Sequence, residues 1–448
     1  MTAPNIRQII FRNLIFLRGG TMKKRFITAL LMATVVLAAQ AENKTIRVLL
    51  ANHPYADVLR PLIPEFEAKT GVKVNVESYD ENQLTQKLTT EFATRSSTVD
   101  VFMTRPLQEG KMFYRNGWYE NLSSMLKDTK KTPSNYSFED YSVSSVNAVT
   151  YKNDVYTIPL VTEWQVLYYR TDLFKAAGLQ PPTNFDELIA AAKKFTNPSK
   201  DMYGIVSRGQ RGAAVTQFSS YLYNYGGDFI TDGKAVINSP AAIEALKFYG
   251  NMLKQYGPPG VTNMSWPQGQ ALFQSGKVAM WTDASVFLGN LTDPTKSQVS
   301  DKVGVAMFPA GPKGNHPYTV VSWGMAISKQ SKNKDLAYNF LMWATSKDLA
   351  IKAMIEKGIT MARNSVWTDP TILAKFDKQL ALTAVKIGAI GTPYDRPLMT
   401  AVGEARDAIG DVIVMSIENG GTGDIAGASN NATKKVNELL DAAGELGK

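Results

Sequence analysis

From residue 45 onward the hydrophobic and polar positions change period several times. Residues 45–50 (TIRVLL) are short and mostly apolar, as in a buried strand. Over 61–69, Leu62, Ile63 and Phe66 share one side and Gly71 lies just past the end, which predicts a helix. Residues 72–77 (VKVNVE) alternate and predict a second strand. Leu84, Leu88 and Phe92 recur every fourth position and predict a helix over 83–94, and 99–103 (VDVFM) reads as a third strand. Such alternation gives βαβ units and a parallel sheet with covered faces, an α/β fold. Helix signals return later. Asn184 with Glu187 three positions on makes an N-cap and capping-box pair. Ser239-Pro240 supplies a capping hydroxyl and a first-turn proline before 241–249. Residues 302–308 form another strand candidate, and 335–343 and most of the chain from Ala401 onward read as helical. No repeat of fixed period and no low-complexity tract occurs.

The N-terminal end follows a different pattern. Lys23, Lys24 and Arg25 precede an apolar run over 26–39, then Ala39-Gln-Ala41 and the polar Glu42-Asn-Lys44. This predicts a cleavable secretory signal peptide over residues 1–41, cut after Ala41. The run is too short for a comfortable membrane span. Residues 1–21, interrupted by Arg12 and Asn13, sit oddly ahead of such a signal, so translation is expected to start at Met22. Arg18-Gly19 is how a ribosome-binding site would read if translated. No cysteine follows the signal, so a lipid anchor on that thiol is not expected. The mature protein is expected in the periplasm.

The formal charge of +9 first suggests nucleic acid. Residues 1–41 hold six bases and no acid, so the remainder carries only +3 and that reading loses its support. Zero cysteine excludes disulfides, thiol nucleophiles and zinc–thiolate sites, and two histidines leave little room for His-rich metal sites. No phosphate-binding G-x-x-x-x-G-K-[ST] loop, nucleophile elbow or H-E-x-x-H is present. Gly421-Thr-Gly423-Asp-Ile-Ala426 fits a loose dinucleotide fingerprint, but no second strand or acidic partner follows, so a loop between helices is expected. No catalytic residue, metal or cofactor is expected. A two-carboxylate glycosidase stays open on composition alone.

The placement of aromatic and polar residues at strand ends is more informative, because open α/β sheets bind ligands beyond the carboxyl ends of their strands. His53 follows the first strand and Arg105 the third. Further clusters are Thr162-Glu163-Trp164, Arg208-Gly-Gln-Arg211, Trp281-Thr282-Asp283, Ser322-Trp323 and Arg363-Asn364. Trp offers a flat apolar face to sugar C–H groups, and carboxylates and guanidinium groups bind hydroxyls in pairs. Each residue alone also suits core packing or a solvated ion pair.

Several blocks occur in a familiar order. They are Phe66-Glu-Ala-Lys-Thr-Gly-Val-Lys-Val74, Ile158-Pro-Leu-Val-Thr-Glu-Trp-Gln-Val-Leu-Tyr-Tyr-Arg170, Gly276-Lys-Val-Ala-Met-Trp-Thr-Asp283, Val303-Gly-Val-Ala-Met-Phe-Pro-Ala-Gly-Pro312 and Trp323-Gly-Met-Ala-Ile327. Together they resemble extracellular solute-binding protein family 1, the maltose-binding-protein-like components of carbohydrate ABC importers. The resemblance spans about residues 44–440. It implies a two-lobed periplasmic binding protein of the type II, venus-flytrap kind, with discontinuous lobes and a ligand cleft between them. It implies a first lobe of 42–160 and 304–345 and a second of 161–303 and 346–448. Crossings are then expected near 159–163, 303–305 and 343–348. Matching motifs point to Glu163, Trp164, Trp281, Thr282, Asp283, Trp323 and Arg363 as ligand-binding, and cleft loops add His53, Arg105, Arg211 and Gln217. The implied ligand is a monosaccharide or sugar alcohol, with an acidic or phosphorylated sugar as the alternative because Arg serves hydroxyls and anions alike. The implied partner is an ABC permease, with no nucleic acid, no membrane anchor and a monomeric state. A periplasmic carbohydrate-active enzyme and a ligand-presenting sensor are the other readings.

Overall fold

In the computed structural model of the chain, residues 44–448 are described; the expected signal peptide, its cleavage site and Met22 lie outside them. Eight strands form one connected sheet: β1 (Thr45–Ala51), β2 (Lys73–Tyr79), β3 (Val101–Thr104), β4 (Ile158–Arg170), β5 (Tyr203–Val206), β6 (Val278–Ala284), β7 (Val303–Met307) and β8 (Thr319–Ile327). The strand order is β2-β1-β3-β8-β4-β6-β5, with β7 on the free side of β4. The pairs β1–β2 and β1–β3 are parallel, as the early alternation predicts.

One strand organises both lobes. The first half of β4 pairs with β8, from Ile158 opposite Met325 to Trp164 opposite Thr319. Its second half lies between β6 and β7, with Gln165 opposite Ala284 and Arg170 opposite Val303. A register shift in β8 around Trp323 marks where the ladder passes from one lobe to the other. Residues 360–362 run antiparallel beside β4, where Thr162 N–H donates to Thr360 O at 2.8 Å and Ala362 N–H to Leu160 O at 3.1 Å.

This geometry shifts the second expected crossing. Residues 303–305, expected there, belong to β7, which pairs along the far half of β4 in the second lobe. The return to the first lobe is made by β8. At the third, the Tyr55 hydroxyl bonds Ala344 O in the first lobe, and by Lys357, whose carbonyl lies against Gly289, the chain has reached the second.

Local signals explain most helices. Asn184 accepts from Glu187 N–H ahead of Phe185–Phe195, and Ser239 accepts from Ala242 N–H ahead of Pro240–Tyr256. The first helical stretch starts at Pro54, earlier than the apolar pattern predicts, because the His53 ring accepts from Tyr55 N–H and Pro54 occupies the first turn. Gly421 and Gly423, at φ of +75° and +82°, form the turn between helices Val402–Glu418 and Ile425–Ala442, as expected of a loop rather than a nucleotide site. Among the described residues, no helix is long and apolar enough to cross a membrane.

Candidate functional site

The carboxyl ends of β2 and β3, followed by Glu81 and Arg105, and the loops of the second lobe face one another across a cavity of about 640 Å³. On the first-lobe side, His53 is buried, its ring 5.7 Å from that of Trp323 and its Nε2 3.8 Å from Glu163 Oε1. The Nε2 atom has no hydrogen-bond partner within the protein. The Arg105 guanidinium lies 5.7 Å from the Trp323 ring centroid, bonds Glu81 Oε2 at 3.0 Å and Thr85 Oγ1 at 2.7 Å, and pairs with Glu109 at 3.4 Å. Burial works against the charge on Glu81, but Arg105, Arg208 and His53 hold its carboxyl below the ordinary value.

On the second-lobe side, Asp283 at the end of β6 is fully buried. It accepts from Arg208 Nε and Nη2 at 3.0 and 2.6 Å, from Gln217 Nε2 at 2.9 Å and from Ala284 N–H at 2.7 Å. Burial pushes this carboxyl up while Arg208 pulls it down, and the four donors hold it as an acceptor. Gln217 Nε2 also reaches the Tyr318 hydroxyl at 3.1 Å, leaving Gln217 Oε1 unpaired. Deeper in the cleft Arg396 forms a bidentate pair with Asp395 at 2.7 and 2.5 Å. Arg406 reaches Thr216 Oγ1 at 3.2 Å and keeps an unpaired Nε; burial and the adjacent Arg396 push it well below its ordinary pKa.

The lobes touch directly. Trp266 Nε1 of the second lobe donates to Glu81 Oε1 at 3.1 Å, and Gln108 Oε1 of the first accepts from Arg396 and Arg406, both at 2.6 Å. The cations of the cleft are matched by carboxylates. Arg105, Arg208, Arg396 and Arg406 face Glu81, Glu109, Glu163, Asp283 and Asp395, so no surplus of positive charge awaits an anion. Near the cleft, His53 Nε2, Gln217 Oε1 and Arg406 Nε have no partner within the protein.

Of the expected residues, Arg105 and Arg211 line this cavity, while Trp323, His53 and Glu163 lie in turn behind Arg105, and Asp283 and Gln217 lie behind Arg208. Trp164, Trp281, Thr282 and Arg363 lie elsewhere. Trp164 lies against Trp367, with Nε1 donating to Thr383 Oγ1 at 2.9 Å, in a separate apolar groove of about 890 Å³. Trp281 is fully buried and stacks on Phe287, and Thr282 behind it bonds the Tyr221 hydroxyl. Arg211 is half exposed on the cleft rim, paired with Asp411 at 2.6 Å. Arg363 sits between the rings of Tyr136 and Tyr141, at 4.5 and 4.8 Å, and donates to Thr345 O. It fastens the first lobe.

Sequence reasoning missed Glu81, Gln108, Trp266, Asp395, Arg396 and Arg406. One signal was available: on Val402–Glu418 the buried stripe Val402, Ala405, Ile409, Ile413 includes Arg406, and a charge in a buried stripe needs a partner. The others depend on contacts between distant loops that no spacing announces.

Residues 52–351 match the family described as bacterial extracellular solute-binding protein. The chain is 31% identical over 332 residues to the mannitol-binding protein of Pseudomonas aeruginosa, covering 72% of this chain and 73% of that one. It is 28% identical over 387 residues to the erythritol/L-threitol-binding protein of Mycolicibacterium smegmatis, covering 82% and 78%. A solute-binding protein of Agrobacterium radiobacter, solved in complex with ribitol, superposes with a TM-score of 0.79 at 31% identity, covering 89% of this chain and 98% of that one. With its two lobes joined through β4 and β8 around a polar cleft, the chain belongs to the bacterial extracellular solute-binding proteins.

Proposed function

We propose that the protein captures a small neutral polyhydroxylic solute, a sugar alcohol by preference, between its lobes and delivers it to an ABC permease from the periplasm. The observation that carries this is the absence of spare positive charge among the described residues of the cleft. Its guanidinium groups already have carboxylate or amide partners, while His53 Nε2, Gln217 Oε1 and Arg406 Nε lack one. Unpaired polar atoms this buried need a partner, and a chain of hydroxyls supplies both donors and acceptors. An anion would compete with the resident carboxylates, which disfavours an acidic or phosphorylated sugar. The relatives that bind mannitol, erythritol or L-threitol, and ribitol support the same ligand class.

Ligand held by both walls shifts the population toward the closed form, which is the form a permease would receive. Nothing in the cleft calls for bond breaking, and the solute is expected to be released unchanged. A thermal-shift series with ribitol, mannitol, erythritol, gluconate and a hexose phosphate tests the reading. A ligand at 100 times its Kd adds about 2.7 kcal/mol to the folded state. A shift with the neutral polyols and none with the anions is expected; a shift with the anions alone would overturn the neutral-ligand reading.

A further inference from the structure

Outside the cleft, the lobes meet a second time. The one-turn π-helix Pro106–Gly110 continues into helix Lys111–Arg115, and Gln108, Lys111 and Arg115 lie three and four positions apart. That spacing puts them along one side. Gln108 faces the second lobe's Arg396 and Arg406, as described above. Lys111 and Arg115, both partly exposed, face the segment 443–448 after the last helix. There Glu445, whose side chain is only 12% exposed, lies 3.0 Å from Lys111 Nζ and 3.1 Å from Arg115 Nη1. Arg115 also donates to Ala443 O at 2.9 Å and to Thr400 Oγ1 at 3.1 Å.

Glu445 is aimed at these cations by its own lobe. It accepts from Thr400 N–H at 3.0 Å and from Thr400 Oγ1 at 2.5 Å. The segment is held farther on by Gly447 N–H, which donates to Gly233 O at 2.9 Å. Nothing in this arrangement includes a cleft residue. A carboxylate fixed on one lobe therefore meets two cations carried by the other, and their distance changes only when the lobes move.

We infer that Glu445 with Lys111 and Arg115 forms a clasp that holds the closed form without touching the ligand, and so sets affinity from outside the binding site. Apparent affinity scales with the fraction of molecules in the binding-competent state, so a contact made only on closure tightens binding of any ligand the cleft accepts. Partly exposed ion pairs are individually weak and screened by salt. The clasp therefore biases the equilibrium without locking it, and its contribution fades at high ionic strength. The inference rests on closure of the lobes and not on which solute is bound.

The test uses the ligand-free protein. The chain contains no cysteine, so K69C in the first lobe and S199C in the second, both exposed positions, take spin labels without background. Interlobe distance distributions by pulsed electron resonance then give the ratio of closed to open molecules. The wild type is expected to show a closed population at low salt that shrinks in 1 M NaCl. E445Q should lower the ratio roughly two- to tenfold and remove the salt effect. The double variant K111Q/R115Q, which leaves the second lobe's packing intact, should lower it equally, and E445Q should add nothing further in that background. Absence of any closed population in the wild type, an unchanged ratio in E445Q, or full additivity of the changes in the two lobes would overturn the clasp. Failure of every polyol in the thermal-shift series would sink the ligand reading and leave this measurement unaffected.

Discussion

His53 does two jobs with one ring. Its Nδ1 accepts from Tyr55 N–H and starts the first helix, and its Nε2 is buried without a partner, 3.8 Å from Glu163. His53→Ala removes one ligand partner, so polyol affinity measured calorimetrically should fall roughly two- to tenfold, with a small added loss of helix capping. Asp283 is different. Asp283→Ala strands Arg208 in a buried site, so about 3–5 kcal/mol of stability should go with the binding, read as a drop in the urea midpoint. Trp164→Ala empties a buried position in the apolar groove, costing about 3–5 kcal/mol of stability while the cleft contacts of His53, Asp283 and Gln217 stay in place. Sequence alone treats Trp164 and Asp283 as equivalent, because both follow apolar strand segments. They differ in which face of a twisted strand they occupy, and a one-residue change of face is invisible without the register.

Elements were more legible than sites. Asn184, Ser239 and the four-residue spacing of Leu84, Leu88 and Phe92 act locally, and the helices they announce are there. The crossings were harder to read because β7 and β8 are both short apolar strands, and only pairing along β4 tells which lobe each serves. Close approach between elements gives a further prediction. Gly250 in helix Pro240–Tyr256 faces Ser416 of Val402–Glu418, and an added Cβ would collide with its hydroxyl and backbone. Gly250→Ala should thus lose about 1–3 kcal/mol despite alanine's better helix propensity, measurable by chemical denaturation.

The edge of the first-lobe sheet also has a pH signature. Arg47 of β1 bridges Glu77 of β2 and Glu91 of helix Glu81–Ala93. Its hydrogen bond lowers the Glu77 carboxyl to about 2 from 4.5. Burial opposes the same shift at Glu91, but Ser96, Arg47, Lys87 and Thr98 bring it to about 2 as well. Depressed carboxyls stabilise the fold fully above about pH 4.5 and lose that contribution as pH falls toward 2. The thermal midpoint should be flat near neutrality and fall below pH 4.5, and Arg47→Gln should flatten the acid limb.

At the scale of the whole molecule, two lobes share β4, so neither half of the sheet is complete without it. Unfolding is therefore expected as one cooperative transition by both near-UV and far-UV circular dichroism; two resolved transitions would show that the shared strand does not couple the lobes. Binding between the lobes should raise that single midpoint as a whole.

The same strand has a consequence for biosynthesis. The partner of Glu163 is Val320, about 150 residues further along the chain, and Gln165 must wait for Ala284. At roughly 5–20 residues per second the ribosome takes on the order of ten seconds or more to deliver β8 after β4. Until then the central ladder has no second side, and such distant pairings are slow to form even once available. For that interval the first half of β4 lacks its partner, so the strand shared by the lobes is the last part of the sheet to close.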